Sequence, residues 1–411
     1  MVGFKRVLFK RNSRITSRSF AVLAGLFFVL AFSSAHAVEF NAKDTKVTLG
    51  GYLKLMTIFD ANGTVEAGPT EGDMVNAYDT PLDGTTLSDT DDFRMVARES
   101  RVFMKTSTKS DFGMLDTHIE ADAYGDEGGN STWSNSRLFR IRHAYGKLTS
   151  GPHVFLAGQT WSTFMDFAAA VPGMDLASDP GMTFVRQPQL RYRYNINRGH
   201  YIAASVENPD RGLTAKGPAD LIQNAGNSTE GMPDFVVKYF YANKRFHISP
   251  KLLVRKFELD GKSTMGWGTS LTSHINFGNG HKVYAGFMWG DGIGRYAGLG
   301  LNGGAGITAS GDIETVEFKS INGGVTFSLR DDLKLSIGAG YSENDKSAYS
   351  GPDAVLTADA NKNAFSCHTT LKWNITPGLE CAFGVAAFHQ EMTDGDEGDM
   401  IRVQNYFKYS F

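Results

Sequence analysis

Only two cysteines, Cys367 and Cys381, occur in 411 residues, so no disulfide framework is available to hold the fold together. If their strands form a tight hairpin around "NITPG", Cys381 sits opposite about residue 372. Cys367 then lies some five residues further along, about 16 Å at strand rise, beyond the reach of a disulfide. Long apolar runs are missing too. Beyond the N-terminal segment nothing approaches the roughly 20 residues of a spanning helix. Catalytic and metal signatures are absent from the sequence, with no G-x-S-x-G, H-E-x-x-H or C-x-x-C, and the histidines are scattered singly. No cofactor or metal is expected. The glycine-rich "GDGIGRYAGLG" joins two strands and opens no helix, so it reads as a loop and not as a phosphate cradle. The acidic stretches "DAYGDEGG" and "DGDEGDM" lack the spacing of a calcium loop.

The first 37 residues stand apart. Lys5, Arg6, Lys10, Arg11, Arg14 and Arg18 precede the short apolar run "AVLAGLFFVLAF", and "SSAHA" follows with Ala35 and Ala37. A basic region, a short apolar region and a small-residue cleavage site form a secretory signal peptide. The expected mature chain is therefore 38–411. Removing those six cations from the 41 Lys and Arg leaves 35 against 44 Asp and Glu, a net charge of −9. Such a chain is a poor partner for nucleic acid.

Alternation with a period of two dominates what remains. In "KVTLGGYLKLMTIFD" Val47, Leu49, Gly51, Leu53 and Leu55 share one parity, and in "IRVQNYFKYSF" so do Ile401, Val403, Phe407, Tyr409 and Phe411. In "AFSCHTTLKW" Phe365, Cys367, Leu371 and Trp373 alternate with Ser366, His368, Thr370 and Lys372. Strands are expected near 46–60, 92–109, 111–124, 136–149, 152–161, 182–194, 200–207, 234–243, 246–260, 263–277, 281–290, 313–330, 332–343, 364–375, 378–391 and 400–411. Their connections alternate between long and short, with "DGK" at 260–262 the single short link where a long one is due. Sixteen strands in this rhythm predict an all-β fold, a transmembrane antiparallel β-barrel in the outer membrane of a Gram-negative bacterium. Closure pairs every backbone group where no water is available. The expected partners are outer-membrane lipid and lipopolysaccharide. A secreted β-sandwich or solenoid would explain the alternation but not the loop rhythm.

Function is expected at a constriction. The segment "GQTWSTFMDFAAAVPGMDLASDPG", 158–181, is too apolar for an ordinary external loop, and is predicted to fold into the lumen. The alternative is an external loop packed on itself. It carries Trp161, Phe164 and Asp166, with Asp175 and Asp179 further on. Neighbouring strands are dense in arginine. Leu190, Tyr192 and Tyr194 can face lipid only if Arg191 and Arg193 face inward beside Gln187 and Gln189. Phe139, Ile141 and Tyr145 facing outward would likewise put Arg140 and Arg142 in the lumen. The same stretch, "VRQPQLRYRY", also holds Arg186. Arg101 is a further candidate, although "RMVARESRVFMK" has apolar residues on both parities and does not fix its face. Guanidinium groups opposite loop carboxylates would favour anions with planar carboxylates. The same pairs could equally well only brace wall and loop.

"RIRHAYGKL", "FLAGQTWSTFMD" and "RQPQLRYRY" resemble segments of the DcaP-type porins, trimeric sixteen-stranded outer-membrane channels, in order across nearly the whole mature chain. The resemblance implies passive uptake of small anionic solutes, dicarboxylates among them. It implies a basic wall of Arg140, Arg142, Arg186 and Arg191, and a loop contribution from Trp161, Phe164 and Asp166. Some members of that family carry a periplasmic coiled coil ahead of the barrel. Only about eight residues precede the first strand here, so an expected homotrimer would be held by barrel walls alone. A barrel hydrolase and an adhesion or structural barrel using the loops 61–91 and 208–232 are the competing readings. A hydrolase needs a catalytic histidine with a partner near the rim, and the sequence offers none.

Overall fold

The computed structural model describes residues 37–65, 73–125, 138–174, 179–209, 213–215, 231–297, 303–357 and 360–411. The signal-like segment up to residue 36, Arg137, Asp175 and parts of the acidic stretches near 122–129 and 208–232 lie outside them. The strands are β1 (Val38–Ala42), β2 (Thr45–Ala61), β3 (Asp92–Val96), β4 (Arg101–Ser110), β5 (Gly113–Asp122), β6 (Arg140–Ser150) and β7 (His153–Trp161). They continue as β8 (Arg186–Asn197), β9 (His200–Glu207), β10 (Leu213–Ala215), β11 (Asp234–Ala242), β12 (Phe246–Leu259), β13 (Lys262–Gly278) and β14 (His281–Asp291). The last are β15 (Ala305–Ile307), β16 (Ile313–Thr315), β17 (Glu317–Arg330), β18 (Leu333–Asn344), β19 (Asn361–Thr376), β20 (Leu379–Met392) and β21 (Glu397–Ser410).

Every barrel strand pairs antiparallel with its neighbours, and β2 closes the ring by pairing with β21 on one side and with β3 and β4 on the other. Eighteen segments make sixteen positions in a closed antiparallel barrel. β3 and β4 share one position along β2. β21 and β1 share another, covering Tyr52–Ala61 and Thr45–Leu49 of β2 in turn. Between them Gly51 and Phe411 exchange both backbone hydrogen bonds, each at 3.0 Å. β10, β15 and β16 form a small separate sheet from the loops.

Three departures from the expected strands have local causes. The stretch 92–109 is broken, because Ser100 N–H turns back to the Ala97 carbonyl at 3.1 Å while the Ser100 hydroxyl takes the Lys54 N–H at 3.0 Å. The break offsets the alternation by one residue. Val96 and Arg101 therefore share the inner face, and apolar residues fall on both parities. In the expected strand 313–330, the first three residues leave the barrel as β16. Third, β6 carries a bulge. Ile141 pairs with Ala121 and His143 with Glu120, leaving Arg142 as the extra residue. The parity flips there, so Tyr145, expected to face lipid, sits opposite His118 on the inner side.

The outer face carries the exposed apolar residues that alternation predicts, such as Leu190, Phe287, Ile337 and Phe407. The link at 260–262 is a two-residue turn in which Asp260 and Gly261 both have positive φ, 49° and 78°, the Asp-Gly geometry of a tight hairpin. Cys367 pairs with Ala387 and Cys381 with Trp373, and both thiols are free.

The barrel also has an apolar interior. Val75, Ala77 and Tyr78, Phe164, and Ile293, Tyr296 and Ala297 come from three separate loops. They pack with the inward side chains Val236, Leu253, Met288, Phe318, Ala364, Phe388 and Met400. Tyr78 reaches Ser342 at 2.9 Å, and Asp73 accepts from Arg98 at 2.6 Å. The loop 61–91 thus sends its middle, residues 73–81, against the inner wall.

Candidate functional site

Period-two placement lines the inner side of β5 with Asp116, His118, Glu120 and Asp122. Three arginines converge on the upper two carboxylates. Arg140 grips Asp122 with Nε at 3.1 Å and Nη2 at 2.9 Å. Arg142, pushed inward by the bulge, donates Nε to Glu120 and Nη1 to Asp122, both at 2.7 Å. Arg101 reaches Glu120 at 3.3 Å and Glu99 at 3.6 Å. Glu99 also takes Lys54 at 2.5 Å. Around these groups Lys54, Arg101, Arg140 and Arg142 face Glu99, Glu120 and Asp122.

The remaining arginines are different. Among the described residues no carboxylate lies within 4 Å of Arg186, Arg191 or Arg193. Arg186 lies over the Trp161 ring, 4.4 Å from its centroid, and its buried Nη1 has no hydrogen-bond partner. Arg191 donates to Gln189 Oε1 from Nε and Nη2, at 2.9 and 2.6 Å, and to the Trp161 carbonyl. Arg193 lies 5.0 Å from the Tyr201 ring with its buried Nε unpartnered. Gln187 and Gln189 share the inner face with Arg191 and Arg193 while Leu190, Tyr192 and Tyr194 are exposed outside. Trp161 is held edge-on by Phe167 at 4.9 Å and tilted against Phe184 at 4.7 Å. Each of these three guanidinium groups keeps at least one N–H donor unspent.

Phe164 and Asp166 lie with other partners. Phe164 is fully buried against Tyr296, ring centroids 5.7 Å apart. The Asp166 carboxylate accepts from His247 Nε2 at 2.7 Å, Thr272 Oγ1 at 2.5 Å and the Ala168 N–H at 3.2 Å. Lys238 donates to the Met165 carbonyl at 2.7 Å. Burial pushes the Asp166 carboxyl up, but the His247 hydrogen bond and the Lys238 and Lys251 ammoniums outweigh it and hold it below the usual carboxylate range. Further along the segment Asp179 meets His368 at 3.1 Å. The two described loop carboxylates, Asp166 and Asp179, therefore anchor to β11–β13 and β19 and make no ion pair with the arginines.

Glycines on the inner wall make room for this segment. A Cβ on Gly340 would lie 3.0 Å from Pro180, one on Gly338 3.0 Å from Val171, and one on Gly384 2.3 Å from Met174. Lys238, His247, Lys251 and Thr272 did not figure in the sequence reading. For His247 and Lys251 a signal was nonetheless present, because Ile248, Pro250 and Leu252 alternate with His247, Ser249 and Lys251 in "FHISPKLL".

The family model of the DcaP outer membrane proteins matches residues 29–411. The chain belongs to the DcaP outer membrane protein family. Among solved structures, the outer membrane channel DcaP of Acinetobacter baumannii is similar over 90% of this chain and 99% of its own, at 22% identity and a TM-score of 0.74. The anion-selective porin from Comamonas acidovorans is similar over 89% of this chain and 100% of its own, at 12% identity and a TM-score of 0.58. The trimer form of the Vibrio cholerae outer membrane protein OmpT is similar over 90% and 100%, at 10% identity and a TM-score of 0.55. At these identities the likeness is one of fold. No curated protein matches the sequence. This DcaP-family chain is an outer-membrane barrel of porin architecture.

Proposed function

We propose that this DcaP-family barrel is a passive diffusion channel that prefers small anions, dicarboxylates among them. The observation that carries the reading is the trio Arg186, Arg191 and Arg193, whose guanidinium groups have no carboxylate within 4 Å among the described residues. A dicarboxylate offers two planar groups that guanidinium binds bidentately, and a low-dielectric wall strengthens that attraction. In this reading residues 162–174 and 179–183 narrow the lumen from the β11–β20 side, and the solute path runs along the arginine-bearing strands β4–β9. Residues 1–37 direct export, the mature barrel assembles as a trimer through its walls, and lipid and lipopolysaccharide cover the rest of the outer face. Reconstitution into planar bilayers under a salt gradient tests the proposal. A reversal potential of anion-preferring sign is expected. Strong cation preference would remove the anion claim, and absence of any conductance would remove the channel.

A further inference from the structure

Behind residues 164–170 and 181–183 lies a small, partly closed cavity of about 20 Å³. Phe164, Met165 and Asp166 cover it from the loop side, and Lys251, Ser270, Thr272, Met288 and Asn322 line the wall side. Its volume suits one water-sized guest. Its chemistry is unbalanced. The Lys251 side chain is 4% exposed, and its ammonium spends one of three N–H donors, on Thr272 Oγ1 at 2.8 Å. Thr272 passes its own proton to Asp166 and has no donor left. Ser270 is 3% exposed, and neither its hydroxyl nor the Asn322 amide makes a hydrogen bond to the described residues. Charge is unbalanced in the same sense. Lys238 and Lys251 are both buried here, and Asp166 is the one carboxylate beside them, already accepting from His247, Thr272 and the Ala168 N–H.

Unused donors and two buried lysines facing one carboxylate in a largely closed site fit a monatomic anion, whose charge would hold Lys251 in its protonated form. We propose that a single halide, chloride in a natural setting, occupies this cavity on Lys251, Ser270 and Asn322 and fixes the loop to the wall as a structural ion. A water molecule would fit the volume but leave the charge in place. This site is built on β12, β13, β14 and β17, whereas Arg186, Arg191 and Arg193 lie on β8. Its test is independent of the transport proposal.

The test is anomalous diffraction from crystals of the full mature chain purified and crystallised in sodium bromide. The expected result is a bromine peak within hydrogen-bonding reach of Lys251 Nζ, absent from Lys251→Met. Should that variant fail to fold, Ser270→Val keeps the question open to measurement and should lower bromide occupancy severalfold. A cavity holding only water in bromide, or a bromine peak that persists unchanged in Lys251→Met or Ser270→Val, overturns the proposal. A cation-selective channel that still shows the peak would refute the transport reading and leave the halide site standing.

Discussion

Removing one carboxylate, by Asp166→Ala, should release the segment around Asp166 without opening the barrel. The carboxylate collects hydrogen bonds from His247, Thr272 and the Ala168 N–H, and lies 3.9 Å from the Lys238 ammonium. Deleting one partner from a buried charged group costs about 3–5 kcal/mol, since the cations left behind lose their compensation. That corresponds to roughly two to four powers of ten in the ratio of seated to released segment. Opposing release, the fully buried Phe164 contributes about 1.5–3 kcal/mol, and the Asp179–His368 contact holds the far end. The expected outcome is partial release. Single-channel conductance should rise and become noisier, while the folded band on unheated SDS gels persists. Asp166→Asn, which keeps an acceptor but not the charge, should fall between the two. The pH dependence has a definite sign. Because the folded carboxyl is held below its usual range, its stabilisation is complete above the unfolded value of about 4 and is lost as pH falls through the lower folded value. Conductance should therefore stay at its neutral-pH level through mildly acidic conditions. An Asp166→Ala channel with wild-type conductance and noise in an intact barrel would refute the latch.

Three further outcomes follow from the same geometry. Replacing Arg191 and Arg193 together by Gln should reduce the anion-to-cation permeability ratio severalfold in reversal-potential measurements. Each charge at about 6 Å in a watery path contributes about 0.7 kcal/mol, or roughly threefold; an unchanged ratio would place the selective region elsewhere. Gly384→Leu should displace Met174, which a Cβ at that position would approach to 2.3 Å. It should raise conductance noise, whereas Ala387→Leu on the lipid face of the same strand should not. Ile337→Arg puts a charge on the outer wall and should cost about 2–4 kcal/mol, read as a lower temperature for loss of the folded gel band.

How far the sequence could be read depended on whether a property was local. Parity placed Arg191, Arg193, Gln187 and Gln189 on one face because β8 keeps its register from Arg186 to Asn195 and shifts only beyond them. It failed at Tyr145, where one extra residue at Arg142 reverses every side chain that follows. It could not decide Arg101, because the break after Val96 depends on the Ser100 hydroxyl meeting β2, a contact between residues 46 apart.

The sequence by itself determined the sixteen-strand alternation, the loop rhythm and the impossibility of a Cys367–Cys381 bridge. These follow from the two-residue period of a strand and the need to present apolar side chains to lipid. Only the tertiary structure decided which cation each carboxylate would hold. Asp166 found His247 and Thr272 on β12 and β13, while Glu120 and Asp122 took Arg101, Arg140 and Arg142 and, among the described residues, left Arg186, Arg191 and Arg193 with no carboxylate within 4 Å. Period and parity fix the direction in which a side chain points. Pairing depends on what closure of the barrel and insertion of the loop bring opposite it, over sequence distances that no local pattern encodes.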